Sequence, residues 1–341
     1  MRHRVGLGAC LLLLAALGGC KRPCLCPEGL LCEQGRCVLP AGAKGACCWH
    51  KELAGDEQGL YAIWMASAQE AFAAGPAGLL LHLRDGTWES GPTPSHSSLY
   101  ALWGSSASNV LAVGAGGTIL HFDGAVWTQL SSPTDRPLYA VWGAQGHDVW
   151  AVGAGGTMLH MDGSVWSRHE APGRVALNAI WGSGPQDVWA AGADNAAAAI
   201  LRFDGKTWVR APAPPAGPLR SLWGSGPQDI WVGSSDGSLW HFDGAAWSLS
   251  ARWPSQSIEA LWGSGPADLW AGGGQTVHEQ CMTRARGILL HFDGSSWSES
   301  WTGPHHIRQL SGTDPGHVLA VALDGTVLRY EPAPRQSLAG R

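Results

Sequence analysis

The side chain best suited to chemistry in this sequence is a histidine that recurs at regular spacing. It occupies one place in five copies of a repeat, with arginine in two further copies: His82, His121, His160, Arg202, His241, His291 and Arg329. A ring of imidazoles is a candidate metal site, since zinc binds nitrogen ligands about 2 Å away. Each histidine falls on a separate repeat, however, and packed sheets stand about 10 Å apart. We therefore predict hydrogen bonds across the interfaces between repeats and no metal site.

A second repeated group is a carboxylate placed before the second strand of each repeat. It occurs as Asp148, Asp187, Asp229 and Asp268, and Asn109 stands in the same place. A pair of carboxylates would suit general acid–base catalysis, but catalysis needs one site unlike the others. An aspartate at a turn instead bonds nearby backbone N–H groups. His278 and Glu279 lack the second histidine of an H-E-x-x-H zinc motif,. These residues predict turn capping, no catalytic site and no cofactor.

The residues that interrupt the repeat are the more specific candidates for ligand binding. They lie in loops of the last three repeats, which the predicted architecture brings to one face: Trp253, Arg284, Arg286, Trp301, His305 and His306. Two exposed indole rings beside arginine would suit a sugar or a peptide, because aromatic rings offer apolar area and guanidinium groups offer forked donors. The alternative is that both tryptophans fold back and cover the tops of their repeats.

Seven copies of one pattern position these residues. A first-strand tryptophan recurs every 39 to 42 residues, and a serine replaces it in the last copy: Trp64, Trp103, Trp142, Trp181, Trp223, Trp262 and Ser311. Each copy contains four short strands, with Asp-Gly between the third and fourth, which predicts a two-residue hairpin turn. An insertion from His278 to Arg286 lengthens the step into the last copy. Four-stranded units at this period predict an all-β fold, a seven-bladed β-propeller.

The ends of the repeat array predict how the ring closes. The seventh copy stops at Leu328–Glu331 without a fourth strand. The segment Ala46–Lys51, before the first copy, resembles the missing strand, with Trp49 in the place of a fourth-strand tryptophan. We predict that this N-terminal strand joins the last blade, because closure removes an open sheet edge. The propeller would then span residues 46–331, with a flexible tail at 332–341.

The N-terminus has the pattern of an export signal. A basic start precedes an apolar run, Leu7–Leu17, which is too short to span a bilayer as a helix,. The run ends in L-G-G-C at Cys20, which resembles the lipobox of bacterial lipoproteins. The resemblance implies a signal peptide at residues 1–19 and acylation of Cys20, and Lys21 implies lipid anchoring in the outer membrane, on a side that stays open. The alternative is an ordinary signal peptide cut just before the cysteine.

A cysteine-rich segment at residues 20–45 would connect the lipid to the propeller. Six cysteines lie between the lipidated one and the first repeat: Cys24, Cys26, Cys32, Cys37, Cys47 and Cys48. In an exported protein this density is typical of disulfides that stabilise a segment too short for a core. A zinc site is less favoured because paired C-x2-C motifs are absent. Cys281 makes the number odd, so one cysteine lacks an intrachain partner, and the pairing stays open.

The repeats themselves resemble those of known propellers. The segment Trp181–Trp189, W-G-S-G-P-Q-D-V-W, resembles repeats of large bacterial surface propellers rich in Gly and Trp. The strand order is also similar to tectonin repeats, whose propellers bind sugars and lipopolysaccharide. The sialidase repeat S-x-D-x-G-x-T-W does not fit, because most copies here have D-G-x-x-W.

These resemblances imply a binding module of the cell envelope, for glycan or other envelope material. A protein–protein interaction scaffold in the outer membrane is the first alternative, and a polysaccharide-active enzyme is the second. The net charge of −5 and the lack of a basic run argue against a nucleic-acid partner,. The expected partners are therefore the membrane, through the N-terminal lipid, and a glycan or an envelope protein.

Overall fold

The computed structural model describes residues 31–33, 36–38, 48–53, 59–173, 175–279 and 282–332. They form seven four-stranded antiparallel sheets and one two-stranded hairpin. The seven sheets are the blades of a β-propeller, which confirms the fold predicted from the repeats,. The predicted signal peptide and Cys20 lie outside the described residues.

The strands follow the repeats closely. The N-terminal strands are β1 (Leu31–Glu33), β2 (Arg36–Val38) and β3 (Cys48–Leu53). Blade 1 contains β4 (Ala62–Ser67), β5 (Glu70–Ala74), β6 (Leu80–Arg84) and β7 (Thr87–Ser90), and blade 2 contains β8 (Leu99–Ser106), β9 (Asn109–Gly114), β10 (Ile119–Phe122) and β11 (Trp127–Gln129). Blade 3 contains β12 (Leu138–Gln145), β13 (Asp148–Gly153), β14 (Thr157–Asp162) and β15 (Val165–Glu170), and blade 4 contains β16 (Ala176–Gly184), β17 (Asp187–Asp194), β18 (Ala197–Phe203) and β19 (Trp208–Ala211).

The later blades continue the order. Blade 5 contains β20 (Leu219–Gly226), β21 (Asp229–Ser234), β22 (Ser238–Phe242) and β23 (Trp247–Arg252), and blade 6 contains β24 (Ser257–Gly265), β25 (Asp268–Glu279), β26 (Met282–Phe292) and β27 (Trp297–Gly303). Blade 7 contains β28 (Ile307–Asp314), β29 (His317–Ala322) and β30 (Val327–Glu331), and β3 completes it. Short 3-10 turns lie at Pro76–Gly78, Ala115–Gly117 and Ala154–Gly156.

The N-terminal strand closes the ring as the sequence predicted. β3 pairs antiparallel with β30, with Trp49 opposite Tyr330. The ring of Trp49 is 1% exposed and packs edge-on against Trp270 of blade 6, at a centroid distance of 5.3 Å. Its indole also donates to the Ser300 hydroxyl at 3.2 Å. One strand from the start of the chain thus completes the blade built from its end.

A tryptophan-on-glycine contact repeats between neighbouring blades and explains the W-G dipeptide. The ring of each first-strand tryptophan covers a glycine of the next blade, the residue after the equivalent tryptophan or, in blade 7, after Ser311. At Gly182, for example, an added Cβ would lie 2.5 Å from Cη2 of Trp142. The six pairs are Trp64–Gly104, Trp103–Gly143, Trp142–Gly182, Trp181–Gly224, Trp223–Gly263 and Trp262–Gly312. Glycine is required there because any side chain would occupy the space of the indole.

The Asp-Gly turn of blade 1 is the two-residue hairpin that the sequence predicted, and the turn of blade 2 is not. Both turn residues have positive φ in blade 1, at Asp85 (48°) and Gly86 (76°). Elsewhere the aspartate has no positive φ, and in blade 2 four residues lie between Phe122 and its partner Trp127. There the Asp123 carboxylate accepts hydrogen bonds from the backbone N–H groups of Ala125 and Val126, both at 2.9 Å. These bonds hold the turn without a second residue of positive φ. The prediction was therefore wrong for this blade, because an Asx turn competes with the tight hairpin.

The insertion in blade 6 is a hairpin extension. Strands β25 and β26 continue their pairing from Gln275 opposite Arg286 to Glu279 opposite Met282. Among the described residues, no helix has the length and apolar character needed to cross a bilayer.

Candidate functional site

The strand register defines two faces of the propeller. In blade 2, the start of the first strand pairs with the end of the second, at Leu99 and Gly114, whereas Ser106 pairs with Asn109 at the opposite end. Each first strand therefore begins beside the turn between strands two and three. The loop that follows strand four leads into the same end, and we call this end the loop face. The first strands line the central channel, and their opening on this face is the channel mouth.

Seven equivalent residues surround the channel mouth. Each is the second residue of the L-x-A-x-W pattern that builds a first strand, and around the ring they are Tyr61, Tyr100, Tyr139, Asn178, Arg220, Glu259 and Arg308. They line a cavity of about 130 Å³ together with the next residues of the same strands. The ring is unequal, with three tyrosines on blades 1 to 3 and polar or charged side chains on blades 4 to 7. We call it the mouth ring.

The tyrosines form a continuous arc. The ring centroids of Tyr61 and Tyr100 are 5.8 Å apart, and those of Tyr100 and Tyr139 are also 5.8 Å apart. All three side chains are half-buried. Within the described part of the chain, no hydrogen bond engages their hydroxyls, so these groups are available to a ligand. Three of the four tyrosines in the protein lie in this arc.

The charged half of the mouth ring contains one ion pair and one unpaired cation. Arg308 Nη1 donates to Glu259 Oε2 at 2.7 Å, and the Ser257 hydroxyl donates to the other oxygen of Glu259. Arg220 is exposed and makes no hydrogen bond or ion pair with any described residue. The two arginines and one glutamate therefore leave the ring with an excess positive charge, centred on Arg220.

Two polar side chains at the channel mouth connect first strands that form no backbone hydrogen bonds with each other. Asn178 donates to the Leu219 carbonyl of blade 5 at 2.8 Å, and the buried Ser221 donates to the Ile258 carbonyl of blade 6 at 3.1 Å. These bonds satisfy backbone groups that face the channel. They also fix the spacing of blades 4 to 6 around the mouth, so the ring is built on a rigid frame.

Of the candidate residues named from the sequence, Trp301 is not exposed. Its ring is 4% exposed and belongs to the core cluster that contains Trp49 and Tyr330. The imidazole of His305 lies parallel to it, with the ring centroids 6.1 Å apart. The expectation of an exposed indole at this position was wrong, because the ring turns inward to the core that the closing strand completes.

His305 joins a loop to the neighbouring turn. Its Nδ1 lies 2.5 Å from Asp324 Oδ2, in the turn between the second and third strands of blade 7. Burial alone would raise the pKa of Asp324, but the hydrogen bonds from His305 and Thr326 and the charge of His305 lower it to about 2. The contact fixes the loop between blades 6 and 7.

Trp253 and Arg286 lie on the loop face away from the channel. Trp253 is half-buried, and its indole donates to Glu299 Oε1 at 3.3 Å. It also meets Trp297 edge-on, with 6.4 Å between the ring centroids. Arg286 is exposed in the extended hairpin of blade 6. Arg284 lies in β26 as Arg286 does, and its side chain is not among those that the structure describes. Sugar binding by these residues stays a prediction.

His306 lies close enough to the mouth ring for two charges of the ring to act on its imidazole. Burial lowers the pKa of His306, the nearby Glu259 charge opposes that shift, and the Arg308 charge adds to it. Its Nδ1 finds no hydrogen-bond partner among the described residues. The mouth ring itself was missed in the sequence analysis. Its signal was the one variable position inside an otherwise regular first strand.

The repeated histidines and aspartates bond to each other within a blade. In blade 5, Asp229 accepts from Ser225 at 2.5 Å, from the Trp231 indole at 3.0 Å and pairs with His241 at 2.6 Å. Blade 4 replaces the histidine with Arg202, which bonds Asp187 at 2.7 Å. The prediction of bonds across blade interfaces was therefore wrong for the five histidines and right for Arg329, which donates to the Ala68 carbonyl of blade 1 at 3.0 Å. The four aspartates bond mainly to side chains, and Asp268 also accepts the backbone N–H of Ser264.

These networks join strands of a single blade. They lie at the turn between strands one and two, on the face opposite the mouth ring, and the one in blade 5 holds together three strands. Among the described residues, no group of three His, Cys, Asp or Glu side chains is arranged to bind a metal ion.

One pentapeptide, Gly233–Gly237, has the G-x-S-x-G spacing of hydrolase nucleophiles. That motif acts in a sharp turn between a strand and a helix. Here it occupies the turn between strands β21 and β22. The serine of the motif is Ser235, whose backbone N–H donates to the Pro218 carbonyl at 2.9 Å, and the hydroxyl of the preceding Ser234 bonds Ser238 at 2.9 Å. The segment is therefore a hairpin turn rather than a nucleophile elbow.

The cysteine-rich segment is described only in part. Cys32 and Cys37 face each other across the β1–β2 hairpin, and Cys48 begins β3 opposite Glu331. Cys24, Cys26, Cys47 and Cys281 lie outside the described residues. Disulfide formation stays a prediction.

No family model matches this chain. No curated protein matches it either. Solved structures do match across most of the chain. "YCF48 bound to D1 peptide" has a TM-score of 0.67 at 16% identity, and the match covers 86% of this chain and 97% of that one.

Two other matches are a lyase and a WD40 propeller domain. The streptogramin B lyase structure has a TM-score of 0.69 at 14% identity, covering 84% of this chain and 97% of that one. The WD40 β-propeller domain of Doa1 has a TM-score of 0.67 at 12% identity, covering 85% and 98%. At these identities the matches establish the fold, and one fold hosts both binding proteins and an enzyme. The protein is a seven-bladed β-propeller with an asymmetric, positively charged channel mouth.

Proposed function

We propose that this protein is a binding module that holds an extended segment of a partner protein at the channel mouth of its loop face. The observation that carries the proposal is the asymmetry of the mouth ring. The blade cores repeat the same residues, whereas the ring divides into a tyrosine arc and a charged half. Variation at an accessible ring of positions on a rigid scaffold is typical of a binding surface.

The size of the cavity favours a partial contact with a larger ligand. Small-molecule sites usually enclose about 300–1,000 Å³. The channel mouth encloses about 130 Å³. That space suits one side chain or one chain end of a ligand that continues over the loop face. A peptide complex of the structurally similar YCF48 supports this type of ligand for the fold.

The aromatic arc fits a peptide ligand. Tyrosine offers a rigid ring and a hydroxyl at low entropic cost, which is why it is enriched at interfaces. A reaction at this site has less support, since Ser257 and Arg308 already engage both carboxylate oxygens of Glu259. A binding role needs no such free carboxylate.

We place this module in the cell envelope because of the sequence at its N-terminus. Acylation of Cys20 would attach the propeller to the outer membrane, since more than one acyl chain gives stable anchoring. Mass spectrometry of the N-terminal peptide tests this directly. A diacylglycerol-modified Cys20 that disappears in Cys20→Ala supports it, and an unmodified mature N-terminus contradicts it.

Binding of the full-length protein in detergent to an array of 12-residue peptides tests the function. Saturable binding should fall at least about tenfold in Tyr100→Ala, which removes the middle ring of the arc. Val165→Ala, on the outer strand β15 and 69% exposed, is the control and should bind as the unaltered protein does. Peptide binding that survives both Tyr100→Ala and Tyr139→Ala would contradict the proposal.

A glycan array run with the same protein distinguishes the glycan hypothesis. Saturable sugar binding that is lost in Trp253→Ala and kept in Tyr100→Ala would assign the ligand to the loops of blades 5 and 6. The channel mouth would then not be the binding site.

A further inference from the structure

We propose that the channel mouth selects a peptide by a carboxylate group, which pairs with Arg220 while the tyrosine arc holds the adjoining residue. This inference rests on the proposed function, because it names the chemistry of the ligand that the mouth ring binds. Four observations carry it: the unpaired arginine, the satisfied glutamate, the small cavity and the unengaged tyrosine hydroxyls.

The mouth ring has one positive charge that no described residue pairs. Glu259 is 14% exposed, and its two oxygens are taken by Arg308 and Ser257. It therefore neutralises Arg308 and has no oxygen left for Arg220. The Arg220 guanidinium stands exposed at the mouth with five N–H donors and no partner among the described residues,. A single positive charge is thus available to a ligand, on a protein whose net charge is −5.

The guanidinium group of Arg220 suits an anion of a particular shape and charge. A guanidinium group bonds a carboxylate through two parallel N–H donors, which fixes orientation as well as charge. One unpaired arginine balances the single negative charge of a carboxylate. A phosphate group carries nearly two charges and would leave one of them unbalanced. The charge of the mouth ring therefore fits a carboxylate better.

The tyrosine arc lies where it can contact the part of the ligand next to the carboxylate. Around the ring, Asn178 alone separates Arg220 from the end of the tyrosine arc. Asn178 is engaged with the Leu219 carbonyl, so it forms part of the frame. A ligand whose carboxylate meets Arg220 would extend across the mouth and reach the rings of Tyr139 and Tyr100. Their hydroxyls can bond the carbonyl groups of an extended peptide, and their faces can cover an apolar side chain.

A peptide has two sources of this carboxylate, its C-terminus and its acidic side chains. Peptides that bind in the array are made in three forms: with a free C-terminus, with a C-terminal amide, and with Asp and Glu replaced by Asn and Gln. Binding of each form to the full-length protein in detergent is measured by calorimetry. We expect one neutralised form to bind at least about tenfold more weakly, and that form identifies the source.

The variant Arg220→Gln tests the assignment to this residue. It should bind the charged peptide about tenfold more weakly and the neutralised peptide as tightly as the unaltered protein does. Arg220→Lys, which keeps the charge but not the fork, should fall between the two. Arg168→Gln is the matched control, because Arg168 is exposed on the outer strand β15. It should change neither affinity.

The outcomes separate this inference from the proposed function. Equal binding of the charged and neutralised peptides, or an equal loss for both in Arg220→Gln, would overturn the carboxylate assignment. Tighter binding of a phosphoserine peptide would overturn it as well. If Tyr100→Ala still abolishes binding in those cases, the mouth remains the peptide site and only the ligand chemistry is wrong. If no peptide binds, the proposed function itself fails.

Discussion

Six interfaces between neighbouring blades are built on a tryptophan that covers a glycine, and the seventh is built differently. Where blade 7 meets blade 1, Ser311 replaces the tryptophan and Met65 replaces the glycine. The Ser311 hydroxyl accepts the Met65 backbone N–H at 3.0 Å, and Gln309 accepts that of Ile63 at 3.1 Å. The size of the two side chains is thus exchanged across the interface, and backbone hydrogen bonds are added.

We call the interface between blades 7 and 1 the closing interface. The arginine that reaches across it, Arg329, also forms the most buried ion pair among the propeller's described residues, with Glu52 of its own blade. Arg329 of β30 donates to both oxygens of Glu52 in β3 and to the Ala68 carbonyl of blade 1 at 3.0 Å. The side chains of Glu52 and Arg329 are 3% and 13% exposed. The six interfaces with a tryptophan on a glycine therefore rely on aromatic packing, whereas the interface between blades 7 and 1 adds directional polar bonds.

The largest effect should come from breaking that ion pair. Arg329→Gln leaves Glu52 buried without its partner and should lower the free energy of unfolding by about 3–5 kcal/mol. Arg202→Gln is the control at the same strand position of blade 4, where the arginine is 42% exposed, and should cost about 1 kcal/mol or less,. Urea denaturation of both variants measures the difference. Equal losses would mean that the closing interface is no more dependent on polar bonds than a regular blade.

The regular interfaces should be sensitive to any side chain beneath the indole. Gly182→Ala places a Cβ 2.5 Å from Trp142 and should destabilise by about 1–3 kcal/mol,. Gly184→Ala, two residues further along, has no atom within 4 Å of the new Cβ and should leave stability nearly unchanged,. Thermal unfolding of the two variants gives the comparison. A similar stability for both would show that the tryptophan moves aside at little cost.

Exchanging the residues of the closing interface should test whether it follows the same packing rule. Ser311→Trp alone overfills the space next to Met65, and Met65→Gly alone leaves a cavity beside Leu319,. The double variant recreates the regular pair and should be more stable than the sum of the two changes by about 1 kcal/mol. A double-mutant cycle in urea measures this coupling, and strict additivity would mean that the two positions do not compensate each other.

The smallest effect concerns protonation of the turn beside the closing interface. His305→Ala removes a hydrogen bond and a charge from Asp324, so the pKa of Asp324 should rise from about 2 towards its ordinary value of about 3.9,. Because the folded pKa lies below the unfolded one, this carboxylate stabilises the fold above about pH 4 and loses that effect as the pH falls towards 2. The variant should therefore show a weaker acid dependence in that window.

An internal control is available in the same titration. Asp293 also has a pKa of about 2, which its bonds to the Ser295 hydroxyl and to backbone N–H groups of its own turn explain. Carboxyl NMR signals should show Asp324 shifted and Asp293 unchanged in His305→Ala. A shift of both would indicate a wider rearrangement.

The fold was predictable from the sequence because a repeat fixes its architecture by period alone. The regular spacing from Trp64 to Trp262 and the strand-like segment around Trp49 were enough to predict seven blades and their closure. The tryptophan-on-glycine contact was not predicted, because the glycine that each Trp covers lies 40 to 50 residues away, on the next blade.

The candidate site was predicted poorly, for a physical reason. Trp301 was selected from the sequence because it is a large aromatic residue in a loop. Burial of its indole in the core stabilises the fold more than exposure would,. The mouth ring consists of ordinary residues such as Asn178 and Arg220, and each acquires significance only when seven equivalent positions converge on one channel. Convergence is a property of the ring and is invisible in any single repeat.

The closing strand also imposes an order in time. Glu52 and Arg329 are 277 residues apart. At synthesis rates of about 5–20 residues per second, roughly 15–55 s pass between the production of the two. During that interval β3 has no strand to pair with, and every intermediate length of the chain carries an unfinished sheet. A prematurely terminated chain cannot form the last blade, so this topology makes completion of synthesis a precondition for a closed ring.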